Sequence, residues 1–211
     1  MNRTIVLISL LAVIMGCRTA DYPAASSSTS ASSSRDALSR DMRELWADHV
    51  IWTRQYIIAA VNDQPDAKAA ADRLLANQDQ IGEAIVPYYG ADAGRRLAGL
   101  LRDHILIAVD LVGAARAGNQ VNFQAADGRW SANAADIAAF LSSANPHWPR
   151  GAVQAMLNEH LALTKKEATA RIEKDWAADV ATFDQILHQA LMMADTLTDG
   201  IVKQFPSRFT R

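Results

Sequence analysis

Leu45-Trp46-Ala47-Asp48-His49-Val50-Ile51-Trp52-Thr53 sets Leu45, Trp46, Trp52 and Thr53 three and four positions either side of a histidine. Side chains at that spacing share one face of an α-helix. The pattern returns twice, as Leu100-Leu101-Arg102-Asp103-His104-Ile105-Leu106-Ile107-Ala108 and as Met156-Leu157-Asn158-Glu159-His160-Leu161-Ala162-Leu163-Thr164. Each copy reads as two apolar residues, a gap, an acid, the histidine, an aliphatic, a variable residue, an apolar residue and a small one. The step from His49 to His104 matches the step from His104 to His160 to within one position. A period of that length has room for two helices, so the chain is expected to form three helical hairpins that stack to bury their apolar faces.

The intervening segments echo the repeat more weakly. Arg73-Leu74-Leu75-Ala76-Asn77, followed by Ile81, stands one such step before Arg129-Trp130-Ser131-Ala132-Asn133, followed by Ile137; the next step falls on Gln189 and Met193. Pro65, Pro87, Gly90, Gly118, Pro146, Pro149 and Pro206 break the chain where helices should end. Six helices are expected, at about 36–62, 66–86, 91–117, 120–143, 150–173 and 176–204, with Lys174-Asp175 a weak break between the last two. Pro146-His147-Trp148-Pro149 reads as a rigid connector and nothing more. Alternating β-branched runs are missing, and no Asn-Gly or Asp-Gly turn joins two such runs. The fold class is all-α.

If the hairpins are equivalent, the three odd-numbered helices run parallel and bring His49, His104 and His160 to one level of the interior. Two readings of that arrangement stay open. Imidazoles that converge can ligate Zn, Fe or Cu and leave a further position for water or substrate. Alternatively, each is a core histidine whose ring bonds Asn77, Asn133, Gln189 or the hydroxyls of Thr53 and Thr164, since a buried polar group without a partner costs about 1–3 kcal/mol. Asp48, Asp103 and Glu159 sit about 100° round from the stripe and are expected to make contacts between helices. His188 and Met192 share a face of the last helix and form a possible accessory pair of the soft kind that suits copper.

Composition narrows the function classes. Half the residues are apolar and the net charge is −2, so nothing marks a nucleic-acid partner. The single cysteine, Cys17, rules out an intrachain disulfide and a cysteine-built metal site. There is no Glu-x-x-His pair, His-Glu-x-x-His, Cys-x-x-Cys-His, glycine-rich phosphate loop or Gly-x-Ser-x-Gly. No catalytic residue can be named.

Residues 1–16 are expected to be a signal peptide, with Arg3 followed by an apolar run from Thr4 to Met15, too short to span a bilayer as a helix. It ends in Ile14-Met15-Gly16-Cys17, which resembles the bacterial lipobox and implies lipidation of Cys17; Met15 departs from the usual small residue. Residues 17–35, centred on Ser26-Ser27-Ser28-Thr29-Ser30-Ala31-Ser32-Ser33-Ser34, read as a lipid-anchored flexible linker, and 36–211 as the helical domain. Arg18 after the cysteine favours the outer membrane, facing the periplasm.

Leu45-Trp46-x-x-His49-Val50-x-Trp52-Thr53, Glu159-His160-Leu161-Ala162-Leu163-Thr164 and Gly200-Ile201-Val202-Lys203-Gln204-Phe205-Pro206 together resemble a family of small bacterial all-helical proteins, over about residues 43–206. Members are sometimes labelled glycosyltransferase or acetylglutamate kinase. Both activities call for an α/β fold with nucleotide-binding loops, which this sequence lacks. The resemblance implies the helical fold and the histidine motif, and transfers no catalytic residue. The functional expectation is an exported binding or interaction module of the cell envelope with an unknown small-molecule or protein ligand. The alternatives are a metal or cofactor protein using the three histidines, and an enzyme acting on a small envelope substrate.

Overall fold

A computed structural model describes residues 34–209. The helices are α1 (Ser34–Val61), α2 (Ala67–Tyr89), α3 (Ala91–Arg116), α4 (Gln120–Ala144), α5 (Arg150–Glu173) and α6 (Trp176–Gln204), followed by a short 3-10 turn at Pro206–Arg208. No strand occurs among the described residues. The expected signal peptide, Cys17 and almost all of the expected linker lie outside them. Ser34 and Arg35, at the end of the expected linker, belong to α1, where Ser34 Oγ donates to the Arg208 carbonyl and Arg35 pairs with Asp199.

Two helix ends depart from expectation. α2 was expected to stop before Pro87 but continues to Tyr89. Pro87 sits in the last turn, where its missing N–H removes one bond, and the Gly90 amide closes the turn on the Val86 carbonyl. Gly90 itself, with φ of 84°, turns the chain directly into α3. Lys174-Asp175 proves a real break. Lys174 takes the left-handed conformation, with φ of 62°, and the Asp175 carboxylate accepts from the Ala178 amide to start α6.

Each helix packs on the next, α6 returns to α1, and α1, α3 and α5 also touch one another inside this ring. Trp46, Leu101, Trp130, Leu157, Met193 and Ile201 belong to its main apolar core. α2 and α3 come especially close, because a Cβ on Gly82 would lie 2.6 Å from the Gly94 carbonyl oxygen. Trp148 corrects the reading of its segment as a mere connector. The indole is buried against α6, where a Cβ on Gly200 would collide with Nε1.

An ionic network joins α1, α5 and α6. Arg54 reaches Glu167 and makes a two-pronged contact with Asp179 at 2.8 and 3.1 Å, while Arg171 adds a third bond to Asp179 at 3.1 Å. Both carboxylates are buried, and the Arg54 guanidinium lies over the Phe183 ring. Such a cluster adds little net stability when intact but is costly to break, since the remaining charge is left without a partner. Among the described residues, no helix is long and apolar enough to cross a membrane.

Candidate functional site: three imidazoles around one cavity

The repeat brings its histidines together. His49 on α1, His104 on α3 and His160 on α5 are each at most 4% exposed. The His160 ring centre lies 5.5 Å from that of His49 and 6.4 Å from that of His104. The three helices run parallel and in register, because equivalent positions line one cavity in tiers: the histidines, then Thr53, Ala108 and Thr164, then Ile57, Val112 and Ala168. Leu74 from α2 and Trp130 from α4 complete the wall, with Tyr56, Val109 and Lys165 further along. The cavity offers about 20 Å³ to the centre of a water-sized occupant, a little more than one water needs.

In every ring Nδ1 is held by an amide on the neighbouring even helix, at the same sequence offset of 29 each time. His104 Nδ1 meets Asn133 Oδ1 at 2.8 Å, and His160 Nδ1 meets Gln189 Oε1 at 3.2 Å. Both amides are locked from their other end: Asn133 Nδ2 donates to the Leu100 carbonyl and Gln189 Nε2 to the Met156 carbonyl. A carbonyl only accepts, so the amide oxygens must face the rings and accept Nδ1–H. Nε2 of His104 and of His160 therefore carries a lone pair.

The first hairpin divides the same work between two residues. Asn77 Nδ2 donates to the Leu45 carbonyl, as its counterparts do, but Gln78 meets the ring, with its Nε2 3.2 Å from His49 Nδ1. That nitrogen also donates to the Leu74 carbonyl at 2.7 Å and to Asn77 Oδ1 at 3.1 Å. An amide nitrogen only donates, so its two hydrogens are shared among these three neighbours; His49 Nδ1 faces them as an acceptor, which assigns the ring proton to Nε2. Gln78 Oε1 is left buried without a partner. The three rings that line the cavity thus offer one N–H, from His49, and two lone pairs.

All three rings are neutral near pH 7. Burial pushes the His104 pKa down to about 3 and the His160 pKa to about 4. Burial lowers that of His49 well below the ordinary value, and the nearby His160 and His104 lower it further. Burial also raises the Glu167 carboxyl to about 7, against the pull of Arg54. Neutral imidazoles can accept, donate or ligate, but they have no proton to deliver as general acids. The nearest ammonium on the wall, Lys165, is paired with Asp127 at 2.7 Å.

Several expected site residues land elsewhere. Asn77 bonds Gln78 and a backbone carbonyl, not a histidine. Thr53 and Thr164 line the cavity, but their hydroxyls donate to the carbonyls of His49 and His160 one turn back in their own helices. His188 and the exposed Met192 sit apart from the triad, in an outer groove between α5 and α6 that also includes Met156 and Glu159. Of the three acids beside the histidines, Asp48 makes the expected contact, with Arg73 of α2. Gln78 was the residue missed, and the offset shared with the other two pairs would have found it.

Among the described residues no three His, Cys, Asp or Glu side chains stand in an arrangement that could hold a metal ion. A tetrahedral ion about 2 Å from each Nε2 would set ring centres about 5 Å apart. The observed separations are larger, and His49 turns an N–H inward. Compared with protein-family models, curated proteins and solved structures, the chain matches none of them.

Proposed function

We propose that this chain is a non-enzymatic binding module of the cell envelope, exported and held to a membrane by a lipid on Cys17, with the imidazole cavity as its binding site. One observation carries the reading. The fold spends three amides, one from each hairpin, on fixing by Nδ1 three imidazoles that line one small cavity. A core built only for stability would fill that position with aliphatic side chains, as the tiers of Ile57, Val112 and Ala168 do. The leader and lipobox support the location.

Protein without an affinity tag, purified from envelope fractions and weighed by native mass spectrometry, tests this. A small adduct is expected in the wild type and should disappear in Ala108→Leu, which fills the cavity. An adduct-free wild type that Ala108→Leu merely stabilises would overturn the reading. Cys17→Ser should move the protein from the membrane to the soluble fraction. A second reading, a metal centre of Zn, Fe or Cu using all three histidines, is favoured by their lining one cavity but would require the rings to draw closer than they stand. Elemental analysis of the same material separates it from an organic ligand.

A further inference from the structure

We infer that the occupant of this cavity is a soft monovalent cation, Cu⁺, held between Nε2 of His104 and Nε2 of His160, with His49 as a hydrogen-bond donor and not a ligand. The inference rests on the cavity being the binding site, and it follows from what the three rings offer.

Two lone pairs are available. For His49 to become a third ligand its proton would have to move to Nδ1, where it would face the Gln78 amide hydrogens. Turning that amide over would set Oε1 against the Leu74 carbonyl and Asn77 Oδ1, both of which now accept from it. His104 and His160 meet no such obstacle. A cation bound about 2 Å from each of two opposed nitrogens puts their ring centres about 6 Å apart, and these two lie at 6.4 Å.

Charge and coordination then select the ion. The cavity wall is mostly apolar and without a carboxylate, and its one ammonium, Lys165, is paired with Asp127; the cost of desolvating an ion rises with the square of its charge. A divalent ion is therefore far more expensive to seat than a monovalent one. Zn²⁺ also takes four ligands, three of them from protein even in its open sites. Cu⁺ has a filled d shell, accepts imidazole and is satisfied by two opposed ligands.

The test is anaerobic titration of the purified full chain with Cu⁺ in competition with a coloured Cu⁺ chelator. Ag⁺ serves as a redox-inert surrogate and Zn²⁺ as the divalent control. All titrations use the His188→Ala/Met192→Leu background, so that the outer groove contributes nothing. One Cu⁺ per chain is expected, with X-ray absorption showing two nitrogen neighbours. His104→Gln and His160→Gln should each weaken binding by more than about 100-fold, beyond the loss usual for an outer-shell change. His49→Gln should change it by less than about fivefold, with circular dichroism confirming that all three variants fold. Equal losses in all three variants, three nitrogen neighbours, or stoichiometric Zn²⁺ would overturn the inference and leave the cavity as a binding site. A wild type that takes up no metal but carries an organic adduct would do the same. No metal and no adduct would overturn both.

Discussion

Acidification of the metal-free protein should unfold it through the triad, and the size of the effect can be worked out. The folded chain keeps His104 and His160 neutral down to pH values of about 3 and 4 and His49 neutral well below the ordinary value. The unfolded chain protonates each near pH 6.5. Stability from these groups is therefore complete above pH 6.5 and falls as the pH drops, by about 1.4 kcal/mol per unit for each ring. Between pH 6.5 and 5 His104 and His160 together lose about 4 kcal/mol, and His49 adds a loss of the same sign. Glu167 works in the opposite direction. Its folded pKa is raised to about 7 from 4.5, so the native state takes up a proton first, and acidification from pH 7 to 5 recovers about 2 kcal/mol. The net loss of about 2 kcal/mol, before the contribution of His49, is large beside the roughly 5–15 kcal/mol of a typical domain. Urea unfolding followed by circular dichroism at pH 7 and pH 5 measures it directly. Glu167→Gln should roughly double the drop by removing the opposing titration. Stability that is flat or higher at pH 5, in the wild type and in Glu167→Gln alike, would refute the assignment of neutral, buried rings.

Three further outcomes concern the frame. Arg54→Met leaves Asp179 and Glu167 short of their shared cation and should cost about 3–5 kcal/mol in chemical denaturation; a loss under about 1 kcal/mol would show the cluster to be well hydrated. Gly82→Ala forces a methyl against the Gly94 carbonyl, so α2 and α3 must separate, and thermal unfolding should register a destabilisation of about 1–3 kcal/mol. Trp148→Ala empties the space beside Gly200 and should cost about 3–5 kcal/mol in the same assay.

The helices and the meeting of the three histidines were legible because both depend on periodicity. Apolar side chains around each histidine fix which way it faces, and the near-constant step between copies fixes its height relative to its counterparts. Glu167 could also be placed on the inner stripe, two turns beyond His160. What periodicity does not encode is which polar atom answers which. Asn77 occupies the repeat-equivalent position of Asn133 and Gln189, yet the His49 ring is met one position later by Gln78, a shift set by side-chain length and not by face. Trp148 stayed hidden because its value depends on Gly200, a whole helical hairpin further along the chain. The partners of Arg54 were equally out of view, since a charged residue on a half-exposed face looks the same whether it meets water or two buried carboxylates.

The return of α6 onto α1 places the two ends of the described chain side by side, with Ser34 bonded to Arg208 and Arg35 to Asp199. A short bridge could therefore join them, and the polypeptide could be reopened at the Gly90 turn, between the first and second hairpins, to give a reordered chain with the same neighbours throughout. In such a permutant the hairpin order would rotate while the triad stayed assembled. That would let the contribution of each repeat be assayed at a terminus and in the middle of the chain in turn.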